Sequence, residues 1–264
     1  MLTEGFPVYL REAIYPWMSA RAGADGGWAK ADFFVEFQNA AKTDIGFRSG
    51  GYHKWRDAVL PQLRAVDDAV FTNLVHYGLS RHFVSQGTKT LPLEDVLSDG
   101  GSAWTVVRAG NYAALTQRVP DGVRTAMASV LSATDVASRK LQEAWSDAYG
   151  VNPRPSVAFG HAVVAVETAA LTVIPTPVPE PTLANLFSIL EADNPKWTLV
   201  FRDSDKAPGA KTLAAMMRTL WRGHESRHGR PDYADATLEE ARAAVILAAT
   251  LVQWFTTGVV RPTQ

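Results

Sequence analysis

The stretch that most restricts what this chain can fold into is residues 211–258, two amphipathic segments joined by a short basic corner. In the first, Leu213, Met216, Met217, Leu220 and Trp221 recur at i, i+3, i+4, i+7 and i+8, the apolar stripe of a helix. Lys211, Arg218 and Arg222 fall on the opposite face. The second segment opens on Thr237, with Glu240 three residues later, the pairing of a capping box. Its seam is Leu238, Ala241, Val245, Ala248, Val252 and Phe255, and Gly258 is a natural stop. Between the two helices runs RGHESRHGRP, residues 222–231.

The rest of the chain extends this helical pattern. Periodicity predicts a short helix over residues 7–18, broken at Pro16, and an aromatic-rich helix over 28–42 carrying Phe33, Phe34 and Phe37. Residues 53–82 read as mostly helical, with Pro61 at a first turn, and 91–97 add one more turn. Two β-forming runs then flank Gly110 and Asn111, a hairpin signal over about 103–119. Residues 120–149 read as one long helix and 157–173 as another, capped by Ser156. Pro175, Pro177, Pro179 and Pro181 stiffen the connection that follows. Thr182 caps a short helix, and residues 197–201 suggest either a brief strand or apolar packing alone. The expected fold is mainly α: a helical N-terminal region, residues 1–119, ending in one β-hairpin, and an antiparallel helical bundle over 120–264.

Bulk properties exclude several classes. With 47% apolar and 20% charged residues the chain is an ordinary globular one. A formal net charge of −1 gives no overall pull toward nucleic acid or anionic lipid, so any such attraction is local. The absence of cysteine removes disulfides, thiolate catalysis and Cys-ligated zinc. Charged residues interrupt the N-terminus where a signal peptide has its apolar run, and the nearest membrane-like stretch, 243–255, is too short to span. The expected location is cytoplasmic, without membrane association.

The corner supports two readings that exclude one another. His224, Glu225 and His228 satisfy H-E-x-x-H, in which two histidines one turn apart bind zinc and the glutamate serves as general base of a hydrolase. That geometry needs an unbroken helix, whereas Gly223 and Gly229 flank the motif and Pro231 opposes its continuation. No further histidine stands at the usual extension, where Ala234 is found. The other reading pairs Arg222 with His228. Six residues of continuous helix turn through about 600°, so these side chains converge only if the chain folds over after Gly223. A histidine near neutrality exchanges protons with a reacting oxygen, and an arginine balances charge on a phosphoryl group. Together they suffice for metal-independent cleavage of RNA by its own 2′-hydroxyl. Residues 211–230 carry five basic side chains against one acidic, Glu225, and Arg218, Arg227 and Arg230 are the candidate phosphate contacts.

The order of helices, the AVVAVE run at 162–167, the arginine-to-histidine corner and the alanine-rich last helix together resemble the HEPN superfamily. Within it, they are similar to the C-terminal domain of bacterial abortive-infection proteins and their phage and prophage relatives. The resemblance covers roughly residues 120–260. It implies a helical bundle that pairs into a homodimer, an R-x4-6-H site matched by Arg222 and His228, endoribonuclease activity and no cofactor. It departs from the family pattern at Gly223, where a polar residue commonly follows the arginine. Inactive members serving as binding or scaffold modules keep a non-catalytic alternative open.

Other residues admit plainer roles. Glu167 is a candidate for a carboxylate orienting a basic residue of the corner, with His224 and Glu225 in supporting positions. His161 reads as a packed residue, and His76 and His82 as surface groups. The eight tryptophans read as core anchors rather than a base-stacking platform, since Trp221, beside Arg222, is the one read as clustering with basic residues. The Phe33, Phe34 and Phe37 group reads as core, with a protein partner for the N-terminal half as the alternative.

Overall fold

The computed structural model describes residues 2–80, 92–109, 112–120, 123, 127–128, 130, 133–223 and 234–263. The chain is mainly helical and divides into two compact units, Met1–Arg118 and Val119–Gln264.

The first unit begins with α1 (Val8–Arg21), which runs through Pro16 without interruption, three residues beyond the expected end. Pro16 removes a donor from the carbonyl of Glu12, and both residues are exposed, so water can serve that carbonyl. Next come β1 (Trp28–Lys30), α2 (Asp32–Ala41) and β2 (Tyr52–Lys54). β1 corrects the expectation of a helix from residue 28. Gly26 and Gly27 take φ of 54° and 86°, and the extended chain that follows pairs antiparallel with β2. A π-turn at Trp55–Val59 leads into α3 (Leu60–Ala65), with Pro61 in its first turn, and α4 (Asp68–Ser80). Phe33, Phe34 and Phe37 are buried, Phe34 stacking on Phe47 with ring centroids 4.3 Å apart. Gln38 holds the intervening loop by accepting from the N–H groups of Ile45 and Phe47, each at 3.0 Å.

The predicted hairpin is present as β3 (Trp104–Ala109) and β4 (Tyr112–Gln117), paired Trp104 to Gln117 through Ala109 to Tyr112. Gly110 and Asn111 lie outside the described residues. An isolated hairpin is marginal in water, and two helices secure this one. α5 (Leu93–Asp99) contributes Glu94, whose carboxylate accepts from Val106 N–H at 2.7 Å and Arg118 Nη2 at 2.9 Å. α4 contributes His76, whose Nδ1 accepts from Leu115 N–H at 3.2 Å.

The second unit is a helical assembly. Its members are α6 (Val136–Tyr149), α7 (Pro155–Val173), α8 (Leu183–Leu190), α9 (Gly209–Gly223) and α10 (Leu238–Thr256). A two-stranded ribbon of β5 (Trp197–Leu199) and β6 (Val260–Pro262) ties the C-terminus back. One long helix over 120–149 is corrected: the chain leaves helical geometry at residues 133–135, and Asp135 caps α6 by accepting from Ser138 N–H at 3.0 Å. Side chains of α6 serve the carbonyls of the break, Gln142 that of Ala133 and Arg139 that of Thr134. Ser156 does not cap α7; it donates to Asp235 and accepts from Ala236 N–H, tying α7 to the entry of α10. The capping box of Thr237 and Glu240 forms as expected, and Gly258 takes φ of 76°.

α7 packs chiefly on α6 and α10. At 19 residues and a mean hydropathy of 1.5 it is, by length and composition, apolar enough to cross a membrane. Sequence counting missed this because polar residues interrupt the run. Its buried positions, among them Ala158, Ala162, Ala165, Val166 and Ala169, belong to the core of the unit.

His76, expected at the surface, is half-buried, and burial pushes its imidazole below the ordinary histidine range. Between that lowered value and the unfolded value near 6.5 the unfolded chain binds more protons. Stability should therefore be complete above about pH 6.5 and fall as pH drops through the window. Asparagine keeps an acceptor near the Nδ1 position and cannot titrate. Urea midpoints of the wild type and His76→Asn should differ more at about pH 7.5 than near pH 5. A constant difference between them at both pH values would refute a neutral His76.

Candidate functional site

The corner that carries the sequence argument springs from two described ends. α9 presents the predicted stripe inward, with Leu213, Met217 and Leu220 fully buried. Its last turn brings Gly223 against α7, where a Cβ on that glycine meets Phe159 Cζ at 3.1 Å. The other end, Asp235 and Ala236, is held by Ser156, three residues before Phe159 on the same helix. Both ends are thus seated on the first two turns of α7. His224, Glu225, Arg227, His228 and Arg230 lie outside the described residues.

The described members of the predicted site fare differently. Arg222 is exposed, and among the described residues no acidic side chain pairs with it. Arg218, expected to meet phosphate, is committed elsewhere. Its Nη2 donates to both carboxylate oxygens of Glu191 at 2.6 and 2.5 Å, and its guanidinium lies 4.4 Å from the Phe187 ring centroid. Glu167, expected to orient a cation of the corner, accepts from Leu183 N–H at 2.6 Å. It supplies an acceptor to an otherwise orphan donor at the start of α8, a local structural duty. Among the described residues no three His, Asp or Glu side chains are arranged to hold a metal ion.

Sequence reading missed a polar cluster built into this unit. His161, on α7, faces two carboxylates one turn apart on α6: its Nδ1 lies 3.0 Å from Asp147 Oδ2 and its Nε2 lies 3.4 Å from Glu143 Oε2. Asp147 is 8% exposed and also accepts from Arg154 Nε at 2.8 Å. On the same helix Tyr149, two residues on and so turned away from Asp147, stacks on Trp145 at 4.3 Å and lies under the guanidinium of Arg242 at 5.1 Å. Burial raises the Tyr149 hydroxyl above its ordinary range. The i, i+4 spacing of Glu143 and Asp147 was legible in the sequence. The opposing histidine was not, because its register is set by the turn at 150–154.

His161 and Phe159 are two residues apart on one helix, so they point about 200° away from each other. The His161 cluster therefore opens on the α6 side of α7, while Gly223 sits on the other. The structure does not bring His161 and Arg222 to one cleft. With both ring nitrogens facing carboxylates, His161 is suited to cross-linking α6 to α7.

A buried carboxylate bonded by both a guanidinium and an imidazole is the member whose loss leaves most unpaired. Asp147→Ala should cost about 1–3 kcal/mol, and more than His161→Ala or Arg154→Ala. Chemical denaturation of the three variants checks the order, and equal effects would refute a shared Asp147.

Comparisons with protein-family models, with curated proteins and with solved structures found no match to this chain.

Proposed function

We propose that the second unit is a HEPN-like bundle and that the chain is a cytoplasmic, metal-independent endoribonuclease of defence, toxin or prophage type, acting as a homodimer. The observation that carries this reading is Arg222, an exposed cation in the last turn of α9 with no acidic partner among the described residues. Its neighbour Arg218 is neutralised by Glu191 and Arg242 covers Tyr149, so Arg222 keeps its charge for an outside anion. It stands at the end of the unit where α7 and α10 begin.

The chemistry needs few groups. The 2′-oxygen of RNA bonds to phosphorus while the bond to the 5′-oxygen breaks. His228 takes the 2′ proton, and Arg222 balances the charge gathering on the phosphoryl oxygens. In a homodimer two such motifs share a cleft, and the second histidine protonates the departing 5′-oxygen. Arg227 and Arg230 supply phosphate contacts.

The purified full chain should cleave single-stranded RNA in EDTA and leave 2′,3′-cyclic phosphate ends. His228→Ala should lower the rate by roughly 10²–10⁴, and Arg222→Ala by about 10²–10³. Unchanged cleavage in both variants refutes the site. No cleavage by the wild type refutes the nuclease and leaves a non-catalytic binding bundle.

A further inference from the structure

The first unit carries an exposed surface that is independent of the corner. Strands β1 and β2 pair Trp28 with Lys54 and Lys30 with Tyr52. Residues opposite one another, and residues two apart on a strand, project from the same face. Trp28, Lys30, Tyr52 and Lys54 therefore share one face, while Ala29 and His53 occupy the other. Burial agrees: Ala29 is fully buried and His53 packs edge-on against Phe47, whereas Trp28 is 45% and Tyr52 64% exposed. Two aromatic rings thus stand diagonally across a two-stranded ribbon, each opposite a lysine.

The surroundings extend this face. Lys54 Nζ lies 5.7 Å from the Trp28 ring centroid, within cation–π range. A cavity of about 340 Å³ opens beside it, lined in part by Gly26, Gly27, Trp28, Lys54, Trp55 and Arg56. Trp55 and Arg56 reach it from the π-turn, a local geometry frequent at functional positions. Among the described residues neither Lys30 nor Arg56 has an acidic partner. Lys54 has only exposed Asp57, at 3.8 Å, an ion pair of little strength.

Large rings at the surface cost solubility, and here they alternate with cations in place of the polar residues expected on a wet strand. A protein groove partner would use the rings and be repelled by desolvating the lysines. A single-stranded nucleic acid uses both, stacking its bases on the rings and placing its phosphates against the ammonium groups. We infer that the β1–β2 face of the first unit, with the adjoining cavity, is a binding platform for single-stranded nucleic acid. The inference goes beyond the proposed cleavage and does not depend on it. The exposure of Trp28 beside Lys54 departs from the expectation that the tryptophans are core anchors rather than a base-stacking platform.

The test uses the full chain and a probe that 2′-hydroxyl chemistry cannot cut: fluorescein-labelled 2′-O-methyl-uridine of about a dozen nucleotides. Anisotropy titrations should show binding, and a thymidine strand of equal length should bind within a few-fold. Two or three phosphate contacts give a slope of log affinity against log salt of about −1.5 to −2. Trp28→Ala with Tyr52→Ala should weaken binding by roughly tenfold or more, and Trp28→Phe should keep most of it. Lys30→Glu with Lys54→Glu should weaken it at least as much and is a second, independent arm should the aromatic variant fold poorly. Arg222→Ala, which tests the nuclease, should leave the contribution of these rings unchanged. Absence of binding by the wild type, undiminished affinity in both double variants, or a duplex bound as tightly as the single strand would each overturn the platform.

Discussion

Helix α7 lies between α6 and α10 because the side chains it turns toward them are small. Ala158, Ala162, Ala165, Ala169 and Ala170 are all buried, and α10 answers with Ala241, Ala244, Ala248 and Ala249. Small residues let helix axes come close enough for dispersion contacts to accumulate along both seams. Four neighbouring elements of the second unit touch this helix. Ser156 anchors the start of α10, Phe159 seats the end of α9, His161 meets α6, and Glu167 serves the first turn of α8. Four successive stretches of one helix thus fix four neighbours.

That arrangement decides which charges are available. Long polar side chains near the seams are drawn into satisfying the structure: Arg154 and His161 on Asp147, Arg218 on Glu191, Arg242 on Tyr149. A buried carboxylate such as Asp147 is tolerable only with such partners. Among the described residues Arg222, in the last turn of α9, has no such partner. In the first unit the same logic works in reverse. β1 and β2 are too short to be covered by their own helices on both faces, so Trp28 and Tyr52 stay in water beside Lys30 and Lys54.

The helices with clean periodicity were legible in the sequence, and so were their chemical stops. The inward stripe of α9, the Thr237–Glu240 cap, the Gly258 stop and the residues of the β3–β4 hairpin each follow from local preferences. Errors fell where a local signal competed with a distant partner. Trp28 looked like the start of a helix until β2, more than twenty positions later, claimed it as a strand. Ser156 looked like a cap until Asp235 and Ala236, on the far side of the chain, took its hydroxyl. Residues 133–135 hid a helix boundary that only the Asp135 cap and the side chains reaching back to it reveal.

What the sequence determined by itself is the mainly helical class, the apolar faces of α9 and α10, and the crowding of cations around residues 211–230. These are consequences of periodicity and of charge counted along the chain, which need no partner. The tertiary structure alone decided that Arg218 is spent on Glu191, that His161 joins Asp147 and Glu143, and that two aromatic rings share a face with two lysines. Hydrogen bonds and ion pairs act over a few ångströms, and which groups come that close is set by helix register and strand pairing across the fold rather than by neighbours in sequence.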